Sequence, residues 1–169
     1  LLAGEIRDGE AVPVSVRDTT NADFTHRWAS FLPNGRDYLY FARTGTSGGG
    51  ELDAICVGSL DRSDVKRLIP AKSNAIFHDG KILFVRDGVL MAQDFDPGSW
   101  EVGEDAVPVA ERVSYLAAWS KGVFSVDRQG KLVYRQGDVS TGSLIRRYDR
   151  EGKHVRDYDE QAFHFTAEI

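Results

Sequence analysis

The chain has 169 residues, of which 41% are hydrophobic and 28% charged, with 17 Gly and only 5 Pro. That make-up belongs to a folded chain able to bury a substantial core as one structural unit, and it argues against a disordered or low-complexity polypeptide. A formal net charge of -5 offers no positive field to phosphates, which disfavours nucleic acid and anionic membranes as partners, and no apolar run nears the roughly 20 residues a membrane span needs.

At the N-terminus, Ala11-Val12-Pro13-Val14 is a short apolar run matched later by Ala106-Val107-Pro108-Val109. The next segment, Ser30 to Arg43, reads as an apolar run, a polar turn ending in Gly, and a second apolar run. The same grammar returns at Asn74 to Asp87 and at Phe124 to Gly137. Asn34-Gly35 and Asp79-Gly80 are hairpin signals, because Gly reaches positive φ without a Cβ clash and Asn or Asp tolerates it better than most residues. The runs behind the turns, Tyr38 to Phe41, Ile82 to Val85 and Leu132 to Tyr134, are aromatic and β-branched and too short for helices. They predict inner strands buried on both faces.

Third strands are predicted over Asp53 to Leu60, Val89 to Phe95 and Ser143 to Tyr148, and fourth strands over Val65 to Ile69, Ala106 to Ala110 and Lys153 to Tyr158. Pro108 places the second of these on an outer edge, where a ladder amide is not needed. The turn glycines Gly35, Gly80 and Gly130 lie 45 and then 50 positions apart, a period that suits a four-stranded propeller blade. The expectation is therefore an all-β chain, a partial β-propeller of about three four-stranded antiparallel blades with part-blades at both ends. The predicted boundaries are residues 1–17 for the end of a preceding blade, 25–70, 73–112 and 117–158 for three blades, and 162–169 for the start of another or a closing strand. A first residue other than Met suggests an upstream part.

The string Ser30-Phe31-Leu32-Pro33-Asn34-Gly35 resembles the turn that precedes a buried strand in the TolB-type, WD-repeat-like propellers of bacteria. Together with His26-Arg27-Trp28, Val57-Gly58-Ser59-Leu60-Asp61, Phe84 to Gly88 and Leu90-Met91-Ala92, it is similar to propellers attached to bacterial serine/threonine kinases. Asn34 stands where that family usually has Asp. The resemblance implies a sensing or binding module on the extracytoplasmic side of a membrane; composition alone leaves the compartment open. None of the kinase signatures is present in this sequence.

No catalytic, cofactor-binding or metal-binding residues are assigned. Gly45-Thr46-Ser47-Gly48-Gly49 satisfies G-x-S-x-G, but a nucleophile elbow must lead into a helix and Glu51 to Val57 reads as a strand. His26, His78, His154 and His164 lack metal-ligand spacing, and the lone Cys56, between Ile55 and Val57, reads as a structural thiol. Asp94 and Asp96 flank Phe95 on one strand face and read as a solvated turn, while Asp157, Asp159 and Glu160 read as a charged outer edge. Candidate ligand or partner contacts are Arg27, Trp28, Tyr115 and Trp119, on the loops that enter first strands. For the tryptophans, Trp100 included, packing between blades is the competing role.

These features point to a non-catalytic binding or sensing module rather than an enzyme, taking a protein, peptide or small ligand at its loops. The alternative is the accessory propeller of a hydrolase, such as a prolyl-oligopeptidase-like peptidase, whose catalytic domain lies outside this chain. Open blade faces also predict self-association or instability of the isolated segment.

Overall fold

The structure, a computed structural model, describes residues 1–4, 11–45, 50–61, 63–137, 143–148 and 154–162. Its strands in chain order begin with β1 (Leu2–Gly4) and β2 (Ala11–Pro13), followed by β3 (Asp23–Phe31), β4 (Asp37–Thr44), β5 (Ala54–Ser59) and β6 (Val65–Pro70). Next come β7 (Ala75–His78), β8 (Lys81–Arg86), β9 (Val89–Asp96) and β10 (Glu101–Ala110). The short strands β11 (Tyr115–Leu116), β12 (Lys121–Gly122), β13 (Phe124–Val126) and β14 (Leu132–Tyr134) precede β15 (Ser143–Tyr148) and β16 (His154–Ala162). Among the described residues the only helical piece is a 3-10 turn at Ala117–Trp119. The chain is all-β, as the sequence predicts. It divides into two units, Leu1–Asp138 and Val139–Ile169.

Strands β3 to β6 form one four-stranded antiparallel sheet in sequence order, and β7 to β10 form another. Both hairpins are made where their turn residues are. Asn34 Oδ1 accepts the backbone amides of Arg36 and Asp37 at 3.0 and 2.9 Å, and Gly35 sits at φ 66°. Asp79 and Gly80 take φ 44° and 73°, as do Asp87 and Gly88 at 51° and 76°, the paired positive angles that let a two-residue loop match strand twist. The edge strands carry the prolines, Pro70 in β6 and Pro108 in β10. Pro108 lies opposite Met91 and is followed by a register shift. β10 starts at Glu101, earlier than the predicted Ala106.

Alternation along β4 decides the packing. Leu39 points with Ile55 and Val57 into a core shared with Ile82, Phe84 and Phe95 of the second sheet. Tyr38, Tyr40 and Ala42 point the opposite way, with Ala54 and Cys56, against Leu1, Val14 and Leu60. In the second sheet Leu83, Val85, Leu90 and Ala92 face away from the first and pack on Val113 and Phe124. Each four-stranded sheet is thus covered on both faces, which is why its inner strands are apolar runs instead of alternating ones. Trp100, at φ 59°, is buried in the core between the sheets, and its indole nitrogen donates to Asp37 Oδ2 of the first sheet at 3.0 Å. Full burial of side chains such as Phe84 is worth about 2–3 kcal/mol each.

The segments predicted as a third four-stranded blade are distributed differently. β13 pairs with β14 and β15 with β16, in separate two-stranded sheets, and β11–β12 forms a further two-stranded one. Leu132 packs on the Val85–Phe124 cluster, but Val133 is 72% exposed and Tyr134 38%, so β14 is not the doubly covered strand its composition predicts. The apolar run supplies a strand; coverage of its second face depends on another layer, and none lies over Val133 within its own unit. In the second unit, β16 runs through Ala162, past the end predicted at Tyr158, and residues 163–169 of the segment predicted to start another blade or to close the fold lie outside the described residues. At the other end, the run at Ala11 to Val14 supplies β2, paired with β1, and the Val14 carbonyl accepts Tyr38 Oη at 2.6 Å.

Candidate functional site

Within the first unit, the β4–β5 loop, the β8–β9 turn and the β6–β7 link meet at one end of the two stacked sheets. Between them opens a cleft of about 360 Å³ lined by Gly50, Glu51, Asp53, Pro70, Ala71, Lys72, Val85 to Gly88 and Tyr115. Its size falls in the lower range of small-ligand pockets. Tyr115 is held by its hydroxyl, which donates to the Lys72 carbonyl at 2.5 Å, and Arg86 at the rim carries its guanidinium over the Phe84 ring at 5.1 Å. The Tyr115 phenol is pushed above its ordinary pKa by burial; a hydrogen bond with Ser120 opposes that shift, the charge of Asp53 adds to it and that of Arg43 opposes it.

Asp53 is the deepest charged residue of the lining, at 2% exposure. Its Oδ1 accepts three donors, the Thr44 amide at 2.7 Å, the Thr44 hydroxyl at 2.9 Å and the Gly50 amide at 3.0 Å. Its Oδ2, equally buried, has no hydrogen-bond partner among the described residues. Arg43 lies on the same face of β4 as Leu39, is itself buried, and among the described residues its Nε also has no hydrogen-bond partner. Buried polar atoms are nearly always satisfied, by protein groups, bound water or a ligand, so these two atoms single out this end of the sheet stack. Sequence reasoning places Asp53 only as the first residue of a strand. The signal is an Asp between a glycine run and the apolar Ala54-Ile55-Cys56-Val57, the position from which a short carboxylate collects loop amides.

Of the predicted contact residues, Tyr115 lines this cleft and the others gather elsewhere. Trp28, at φ 58° in a register shift of β3, donates its indole N–H to the Trp119 carbonyl at 2.9 Å, and Lys121 Nζ stands 4.6 Å from its ring centre. Trp119 is 53% exposed, which separates it from Trp100 and from a packing role between sheets. Arg27 Nε donates to Thr25 Oγ1 at 2.8 Å on the same strand. Trp28 and Trp119 therefore form one surface group and Tyr115 belongs to another.

The described residues hold one Ser-His-Asp chain that the sequence does not suggest. Ser15 Oγ is hydrogen-bonded to His26 Nδ1 at 2.8 Å, and His26 Nε2 to Asp23 Oδ2 at 3.0 Å. Asp23 Oδ1 is taken by Arg67 at 3.0 Å, and the imidazole is buried against Tyr40 with ring centres 4.7 Å apart. Ser15 Oγ also accepts from the Leu1 ammonium at 2.8 Å, so the chain of bonds ties the N-terminal segment to β3 and β6.

Residues 46–49 of the G-x-S-x-G match lie outside the described residues, but the next element along the chain is strand β5 and not a helix. Asp94 pairs with Lys81, and Asp96 caps its own turn through the Gly98 amide at 2.9 Å and the Ser99 hydroxyl at 2.7 Å. Those bonds hold the Asp96 carboxyl below its ordinary pKa, Ser99 contributing most. Among the described residues no group of three His, Cys, Asp or Glu could hold a metal ion. Cys56 is buried in the strand as predicted, and burial pushes its thiol up to about 11. No protein-family model matches the chain, and comparison with curated proteins and with solved structures likewise finds no match.

Proposed function

We propose that this chain is part of a TolB-like, WD-repeat-like β-propeller that acts as a non-catalytic binding or sensing module, with the Asp53–Tyr115 cleft as its ligand site. The architecture is favoured by hairpins recurring at blade-like spacing and by two four-stranded sheets packed face to face, each in sequence order. In that frame the loops joining second to third strands and the links between successive sheets gather at one end, where propellers take ligands. The carrying observation is that Asp53, which lines a cleft of ligand size, is buried with its Oδ2 lacking a hydrogen-bond partner among the described residues. By the resemblance of its turn motifs, the chain serves as the extracytoplasmic sensor part of a larger bacterial signalling protein and meets a protein, peptide or small ligand.

The test is a ligand screen followed by amide chemical shifts. Small molecules and short peptides that bind should move the signals of Asp53, Asp87 and Tyr115, and leave those of Val107 and Val133 in place. Ligands that map consistently to other surfaces, or hydrolytic turnover abolished by Ser15→Ala, would contradict this reading.

A further inference from the structure

We infer that the cleft recognises a protonated amine, whose N–H donates to Asp53 Oδ2; this rests on the cleft being the binding site. The two oxygens of this carboxylate are in opposite states. Oδ1 holds the loop through three donors, so it is occupied and structural. Oδ2 has none among the described residues, although Asp53 is only 2% exposed, and a carboxylate oxygen withdrawn from water without a donor is costly to keep. A ligand that supplies the missing donor recovers that cost on binding.

The surroundings select the donor. Glu51 and Asp87 add carboxylates to the lining, and Tyr115 presents an aromatic ring beside them, a setting that favours an organic cation. The nearby cations leave Asp53 unpaired: Arg86 is drawn onto Phe84, and no salt bridge among the described residues joins Lys72 or the buried Arg43 to Asp53. A metal ion fits poorly, because Glu51, Asp53 and Asp87 do not converge into a ligand set, whereas hard cations require several oxygens at once. One ammonium with a short apolar stem matches a single buried carboxylate among the residues of a cleft also lined by Pro70, Ala71 and Val85.

The experiment titrates the chain with n-butylamine, n-butyramide, n-butanol and n-butyrate, matched in size and different in head group, and follows amide shifts. The expected result is saturable movement of Asp53, Asp87 and Tyr115 by the amine, with weaker or no effect from the others. Asp53→Asn keeps an acceptor for Thr44 and Gly50 and puts an N–H₂ where Oδ2 stood, so amine affinity should fall by about tenfold or more, the worth of one charged hydrogen bond. If that variant fails to fold, the head-group preference of the parent chain decides. Equal response to butyramide or butyrate, or an Asp53→Asn protein that binds the amine unchanged, overturns the amine assignment while leaving the cleft as a ligand site. A cleft that answers to other ligands and to none of these four also overturns the assignment. A cleft that answers to no ligand of any class overturns the site itself.

Discussion

Strands β8 and β14 begin from similar instructions and end in different places. Both follow a polar turn closed by a glycine in positive φ, Gly80 at 73° and Gly130 at 82°, and both are short apolar runs. Ile82 to Val85 is buried throughout, because one face meets the first sheet and the other meets Val113 and Phe124. Val133 stands 72% exposed, since β14 has a covered face only at Leu132. The lesson is that a hairpin is a local product of turn chemistry, whereas burial on two faces is a product of what stacks above and below.

The comparison breaks most visibly by truncation. Phe84→Ala removes a fully buried ring from the core between the sheets and should cost about 3–5 kcal/mol, while Val133→Ala should cost less than about 0.5 kcal/mol. Urea unfolding of both variants measures the contrast. Comparable losses at the two positions would mean that β14 is covered after all.

The next effect is a pH dependence. Cys56 lies on the buried face of the first sheet, and its thiol pKa rises from an ordinary 9.0 to about 11, chiefly through burial. Its neutral form is the one the fold accepts. Between those values the unfolded chain loses the proton and the folded chain keeps it, so the stability contributed by this group is intact below pH 9.0 and falls, by at most about 1.4 kcal/mol per pH unit, until about pH 11. Cys56→Val should flatten that part of the profile. A parent chain whose thiol reacts with Ellman's reagent at pH 8 as fast as the unfolded chain would place Cys56 outside the core.

Smaller still is the turn contribution. Asn34→Ala removes two amide acceptances and the Nδ2 donation to Asp37 at 3.1 Å, and should destabilise by about 1 kcal/mol. Arg128→Ala, in the turn before β14, should be nearly silent, because Asp127 Oδ1 already takes the amides of Gln129 and Lys131 at 2.8 Å each and the Arg128 side chain is exposed. Thermal unfolding of the pair sharpens the contrast, and an Arg128→Ala loss equal to that of Asn34→Ala would contradict it.

Much of the fold is written in local chemistry. Asn34-Gly35 and Asp79-Gly80 announce their hairpins, and the runs after them announce inner strands. Pro108 announces an edge. What local chemistry does not carry is the far side of each strand. Leu132-Val133-Tyr134 reads like Ile82 to Val85 because composition is silent about the layer above. The early start of β10 is hard to read because Glu101 to Asp105 is mostly polar with Val102 its one apolar contact to the core, and an exposed edge strand needs no apolar alternation. The site is less readable than the fold. Tyr115 is found because it sits on an entry segment, whereas Asp53 matters through two oxygens in different states, a distinction that exists only once Thr44 and Gly50 have donated to one of them.

Native-state hydrogen exchange tests the central claim most directly, that two separate four-stranded sheets share one core and the β13–β14 hairpin lies outside that doubly covered stack. The amides of Leu39 to Phe41 and of Leu83 to Val85 should exchange together and slowest, through global unfolding, with those of Val133 and Tyr134 exchanging many times faster. Protection at Val133 equal to that at Phe84, or the two inner strands opening at unrelated free energies, would contradict it.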